Sequence, residues 1–155
     1  MSNQTLDSQT QWTQKTMQEI KSIVKIKKGR RVNMSSLILA EGKNTPEVIF
    51  NISENIFTIK GKSFPENAKK FYSDILDWLD DFTPSNDLNF DIELYYISSS
   101  SIISVLEIIR RLDKINANGN SISVNWHYDS DDEDLKKIGE DYKRISNISI
   151  NLIAN

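Results

Sequence analysis

The chain has 155 residues, 38% of them apolar, and no cysteine; this allows one sizeable core and excludes a disulfide framework, a thiolate metal site and a cysteine nucleophile. Its formal net charge of -3 conceals a division: residues 1–44 carry eight Lys/Arg against three acids, a net of +5, and the remainder carries -8. No Pro/Gly/Ser linker divides the chain, its start (Ser2-Asn3-Gln4-Thr5) is polar, and no run of about 18 apolar residues occurs. One cytoplasmic globular domain is therefore expected, without a signal peptide or membrane span.

Residues 1–34 read as a basic extension, partly disordered. Within it Met17, Ile20, Ile23 and Val24 recur at helical spacing, predicting an amphipathic helix from about Gln11 to Lys28 that stops near Gly29. Seven bases lie between Lys15 and Arg31, but Trp12 is the sole aromatic there and no zinc pattern accompanies them. Nucleic-acid binding is not expected.

From residue 35 the pattern is that of an α/β domain with a mixed sheet. Leu37-Ile38-Leu39, Val48-Ile49-Phe50-Asn51 and Ile56-Phe57-Thr58-Ile59 read as short strands, with Asn51-Ile52-Ser53-Glu54-Asn55 closing a hairpin. Lys60-Gly61-Lys62-Ser63 is expected to leave the sheet. Pro65 fits the first turn of a helix capped near Ser63 or Phe64, with Ala68, Phe71, Tyr72, Ile75, Leu76, Trp78 and Leu79 as its apolar face and an end by Phe82. After the loop Thr83-Pro84-Ser85-Asn86, the alternation from Leu88 to Tyr96 predicts a half-buried strand.

Four hydroxyls, Ser98-Ser99-Ser100-Ser101, follow that strand and lead into Ile102, Val105, Leu106, Ile109 and Leu112 on one helical face. A helix start gathers unpaired N–H groups and the positive end of the dipole, so it suits a hydroxyl cap and tolerates an anion or phosphate. The run is either a candidate switch or a capped helix with solvated serines. Asn118-Gly119-Asn120 closes this helix and Ile122 to Trp126 is a further strand, so a right-handed crossover should join parallel neighbours. Asp129 to Asp134 opens a last helix with Lys136, Lys137, Lys143 and Arg144 further along, and Ile148 to Ile153 alternates as an edge strand.

Motifs for catalysis are sparse. Asp129, Asp131 and Glu133 alternate as calcium ligands do but lack the glycine and distal glutamate of the calcium loop. Gly61-Lys62-Ser63 echoes a P-loop end, yet Ile56 stands where its first glycine belongs. His127, the sole histidine, has no nucleophile elbow beside it and is assigned to packing or surface. No cofactor and no metal are expected. The competing functional class is a small hydrolase or nucleotide-binding enzyme using His127 and the nearby acids.

Four blocks then occur in order: Thr45-Pro46-Glu47-Val48; Ile59 to Asn67 with Phe71-Tyr72 and Asp77-Trp78-Leu79; Leu94 to Ser101; and Val124 to Tyr128 with Asp131 to Asp134 and Gly139-Glu140-Asp141. Together they resemble the SiaC family of bacterial regulatory phosphoproteins, over about Leu37 to Ile153. The resemblance implies a non-catalytic switch protein with a fold loosely like the anti-sigma-factor antagonists (STAS). It also implies a dedicated kinase with a histidine-kinase-like ATPase fold, a PP2C-type phosphatase, and a diguanylate cyclase bound by the unmodified form, which links the switch to cyclic-di-GMP and biofilm formation. Anchored on Ile102, Val105, Leu106 and Glu107, the family's Asn-Thr pair falls on Ser98 and Ser99, so this chain departs at both; Ile102 stands where many relatives carry Lys. The implied phosphoacceptor is Ser99, with Ser98 and Ser100 as substitutes. Tyr96, Ser98, Ser100, Ser101, Ile102, Asp131, Asp132 and Glu133 are the implied partner-binding residues.

Overall fold

The computed structural model describes residues 34–155; the expected helix over residues 11–28 and the rest of the basic extension lie outside the described residues. Among these residues strands and helices run β1 (Leu37–Leu39), β2 (Glu47–Asn51), β3 (Ile56–Ser63), α1 (Ala68–Asp81), β4 (Leu88–Ile97), α2 (Ser99–Ala117), β5 (Ile122–Tyr128), α3 (Glu133–Ile145) and β6 (Ser149–Ala154). The six strands form one sheet in sequence order, antiparallel from β1 to β3 and parallel from β3 to β6. The expected mixed sheet, early hairpin and later parallel crossovers are all present. At the hairpin, Asn51 Oδ1 accepts from Glu54 N–H and the Ser53 hydroxyl, and Asn55 takes φ 57° to reverse the chain.

Right-handed crossovers that all step the same way lay their helices on one face of the sheet. Burial follows that rule. Phe57 and Ile59 of β3, Phe90, Ile92 and Leu94 of β4, Val124 and Trp126 of β5 and Ile150 of β6 are buried, while their strand neighbours are half-buried or exposed. An aromatic cluster fills the β2–β4 side, where Phe50 lies 5.4 Å from Phe90 and 5.3 Å from Trp78, and Trp78 stacks 4.5 Å from Phe82. The opposite face, which carries none of the three described helices, is polar: Asp91 Oδ1 accepts from Asn125 Nδ2 at 3.0 Å and lies 2.9 Å from His127 Nε2, and Asn125 Oδ1 accepts from Asn151 Nδ2 at 3.1 Å.

Two expected boundaries move. Lys60-Gly61-Lys62-Ser63 stays in the sheet as the end of β3, pairing Lys62 with Tyr96 and Ser63 with Ile97 across a register shift at Gly61/Lys62. Gly61 permits this with φ 131° and a Cβ position only 3.3 Å from Pro46 Cα. The cap of α1 is consequently Asn67, whose Oδ1 accepts from Lys70 N–H at 3.0 Å. Neither Ser63 nor Phe64 takes that role, since the Ser63 hydroxyl is bonded to Tyr72 and Ser101 and a phenylalanine side chain has no acceptor to offer. The acidic run likewise straddles its helix: Asp132 is the cap of α3, and Asp129 to Asp131 form the turn before it.

Helix α3 reaches the sheet through Gly139, where an added Cβ would sit 2.7 Å from Leu152 Cδ2 and 2.8 Å from Trp126 Nε1. That indole is already fixed by its bond to Leu135 C=O at 2.9 Å. Gly139→Ala, which in an exposed helix gains about 1 kcal/mol, should here lose about 1–3 kcal/mol through overpacking; urea unfolding monitored by Trp fluorescence checks the sign.

Candidate functional site

Helix α2 begins where β4 passes the end of β3. Ser98 is its N-cap, in extended conformation (φ -76°, ψ 162°), and its Oγ accepts from Ser101 N–H at 3.3 Å. Its C=O accepts the first helical bond from Ile102 N–H at 2.9 Å, and its N–H donates to Ser63 C=O at 2.8 Å, tying the cap to β3. Ser98 Oγ also donates to Ser101 Oγ at 3.0 Å.

Beneath the cap lies a buried hydroxyl cluster. Ser63 Oγ donates to Ser101 Oγ at 2.8 Å and lies 2.6 Å from the Tyr72 hydroxyl, and Ser101 also hydrogen-bonds Tyr72. All three side chains are fully buried. Burial pushes the Tyr72 phenol up to about 12, against the opposing pull of its bonds to Ser63 and Ser101. A second tyrosine braces the same turn: the Tyr142 hydroxyl donates to Ile102 C=O at 2.6 Å, and its ring packs edge-on against Trp126 at 5.3 Å. Burial, and secondarily the neighbouring Tyr72, raise the Tyr142 phenol above its ordinary range.

The serines that the sequence presents as equals thus differ. Ser98 and Ser101 are engaged; Ser99, the first residue of α2, is exposed, and its hydroxyl has no hydrogen-bond partner among the described residues. Ser100 is exposed, 3.3 Å from Ser98 Oγ. The first turn carries no acid. Of the other expected contact residues, Tyr96 is exposed and packs edge-on against Phe64 at 5.5 Å, while Ile102 is half-buried. Ser101 offers no surface, because its side chain faces inward onto Ser63 and Tyr72.

A groove of about 630 Å³ between α1 and α2 is lined by Ser100, Ile103, Tyr72, Leu76 and Arg111. Ile103, 64% exposed, is absent from the expected apolar face. Its helical position off the Val105/Ile109/Leu112 stripe was the signal that would have found it. Asp131, Asp132 and Glu133 do not line this groove; they border a separate hollow of about 670 Å³ with Glu93, Tyr95 and His127. Asp132 is committed to capping, accepting from Leu135 N–H at 2.9 Å, whereas Asp131 and Glu133 are exposed. No hydroxyl or thiol hydrogen-bonds His127 among the described residues, whose partner is Asp91. Among the described residues no group of three or more His, Asp or Glu is placed to hold a metal ion, and no helix is long and apolar enough to cross a membrane.

The family model for "SiaC family regulatory phosphoprotein" matches residues 39–155. The chain belongs to the SiaC family. A relative from Pseudomonas aeruginosa (strain UCBPP-PA14), an uncharacterized protein, is 27% identical over 112 residues, covering 71% of this chain and 89% of its own length. The crystal structure of apo-SiaC from Pseudomonas aeruginosa superposes with a TM-score of 0.71 at 24% identity, covering 78% of this chain and all of that one. A chain of the crystal structure of diguanylate cyclase SiaD in complex with its activator SiaC gives 0.70 at 24% identity, covering 77% and 99%. These solved structures share the fold, and the likeness to STAS proteins is looser.

Within the SiaC family frame, the capping geometry accounts for one of the chain's departures. Ser98 stands where the resemblance puts Asn, and Ser and Asn are both preferred N-caps. The exchange therefore keeps the helix start.

Because the Tyr72 phenol lies near 12 in the folded chain and at 10.0 ordinarily, the folded state holds its proton more tightly. Its contribution to stability is complete below pH 10 and is lost as pH rises from 10 toward 12. Tyr72→Phe should flatten the fall of unfolding free energy over that window, leaving the share of Tyr142; urea midpoints at several alkaline pH values measure it.

Proposed function

We propose that residues 35–155 form a non-catalytic regulatory module that binds a signalling protein of the diguanylate cyclase class and is released by phosphorylation of Ser99. The observation that carries this reading is the Ser99 hydroxyl, exposed and unpartnered at the first position of α2 while its neighbours Ser98 and Ser101 are held. Two findings support it: the family is one of regulatory phosphoproteins, and SiaC of Pseudomonas aeruginosa is the activator in a complex with the cyclase SiaD. A kinase with a histidine-kinase-like ATPase fold adds the phosphate and a PP2C-type phosphatase removes it, in the cytoplasm.

The mechanism is electrostatic. A phosphate on Ser99 adds roughly -1.5 to -2 charge and three acceptor oxygens. The free N–H groups of the first turn accept that charge without unfolding the helix. What changes is the surface a partner must desolvate. Tyr96, Ser100 and Ile102 beside the acceptor form the contact, with Asp131 and Glu133 adding negative charge at the same edge of the sheet, where all the parallel strands end. Ser98 is a poorer acceptor than Ser99, since esterifying its oxygen removes the proton it donates to Ser101.

Ser99→Asp should weaken binding to the host's diguanylate cyclase by at least about tenfold through like-charge repulsion, and Ser99→Ala should bind as the unmodified protein does. Calorimetric titration of both variants measures this; equal affinities reject the switch. Phosphopeptide mapping of the protein from its native host should place phosphate on Ser99.

A further inference from the structure

We propose that the buried cluster of Ser63, Tyr72 and Ser101 is the device that fixes which serine of the run is the cap and therefore which is the free acceptor. This rests on the phosphoprotein reading and names the positioning residues for its site. Local chemistry alone leaves the choice open: Ser98, Ser99 and Ser100 are the same residue in succession, each able to cap the N–H group three positions on. A cap at Ser99 would turn its hydroxyl inward onto Ile102 N–H and withdraw it from a kinase.

The cluster removes that degeneracy. Ser101 Oγ is fully buried and receives bonds from Ser63 at 2.8 Å and from Ser98 at 3.0 Å. The bond from Ser98 exists only when Ser98 is the cap, because the same oxygen then accepts Ser101 N–H. Ser63 sits at the last position of β3 and Tyr72 in α1, so three elements converge on one hydroxyl. Its neighbours hold it in turn: Ser63 C=O takes Ser98 N–H, and no member of the cluster has an unsatisfied oxygen. Sequestering Ser98 and Ser101 leaves Ser99 and Ser100 outward, and Ser100 still lies 3.3 Å from Ser98 Oγ, so Ser99 is the hydroxyl of the run with no partner among the described residues. Deleting the Ser101 hydroxyl unties Ser98 directly, and deleting the Tyr72 hydroxyl takes from Ser63 and Ser101 the partner that fixes them; either change lets Ser99 compete for the cap.

The test has two arms on the full chain. In the first, protein from the native host is mapped for phosphate as wild type, Ser101→Ala, Ser101→Thr and Tyr72→Phe. The share on Ser99 relative to Ser98 and Ser100 should fall about fivefold in Ser101→Ala and Tyr72→Phe, the ratio set by a cap preference of ordinary strength, and be restored in Ser101→Thr, which keeps the hydroxyl. In the second arm, amide hydrogen exchange on unphosphorylated Tyr72→Phe should accelerate at Ser101 about fivefold, with Ile109 in the helix interior unchanged. Exchange at Ser101 that does not change relative to Ile109 overturns the inference, as does an unaltered Ser99 share in both hydroxyl deletions. Should Ser101→Ala not fold, Tyr72→Phe, which removes only an oxygen, carries both arms. Wild type that carries no phosphate anywhere in the run defeats the phosphoprotein reading instead, and the exchange arm still decides whether the cluster sets the cap.

Discussion

Four parallel strands in sequence order, each stepping to the same side of the last, leave their connecting helices no choice of face. Right-handed crossovers put α1, α2 and α3 together on one side of the sheet, and every helix then begins at the edge where the parallel strands end. The helix starts at Asn67, Ser98 and Asp132 share that edge. It is a consequence of topology that the unpaired N–H groups of three helices gather there, with the positive ends of three dipoles. Each start is satisfied from its own side chain, by an amide, a hydroxyl and a carboxylate in turn. The other face of the sheet receives none of the three described helices, and its strands carry Asp91, Asn125, His127 and Asn151 bonded to one another.

A hydroxyl cluster at such a joint has asymmetric energetics. Its hydrogen bonds exchange for bonds to water on unfolding and so add little net stability each, but removing one partner leaves buried oxygens unpaired, at roughly 1–3 kcal/mol. Ser63, Tyr72 and Ser101 therefore contribute uniqueness more than strength. They hold β3, α1 and α2 in one mutual arrangement and make a slipped cap costly. The phenol of Tyr142, reaching Ile102 C=O from α3, extends the same control to the next residue of the helix. The start of α2 is over-determined from below, while Ser99 on its outer surface has no hydrogen-bond partner among the described residues.

Much of this architecture was legible in the chain because its periods are clean. The alternation of Leu88 to Tyr96, the 3.6-residue stripe through Val105, Ile109 and Leu112, and the hairpin residues at Asn51 to Asn55 each depend on local chemistry and were recovered. What local chemistry does not contain is which strand end meets which helix start. Lys60 to Ser63 reads as an exit from the sheet, since Gly61 and two lysines are poor strand formers; pairing with β4 holds it in place instead. The helix boundary at Asn67 follows from that same long-range contact. The proposed acceptor region was visible as a run of serines, but its division into buried and exposed members depends on Ser63 and Tyr72, 38 and 29 positions from Ser101 in sequence. The acids from Asp131 to Glu133 were grouped with that region by charge, and the fold gives them a hollow of their own.

The departures from the family pattern gain physical sense from the same geometry. A cap position demands a short side chain with an acceptor, and Ser98 meets that demand as Asn does. The proposed acceptor needs an exposed hydroxyl, which Ser99 has. Ile102, where the resemblance puts Lys in many relatives, is a half-buried apolar side chain. With an apolar side chain at Ile102 and no base in the first turn, the proposed phosphate would draw on the backbone N–H groups and the dipole of α2. On the proposed reading, the added charge would therefore act on the approaching partner more than on the helix that bears it.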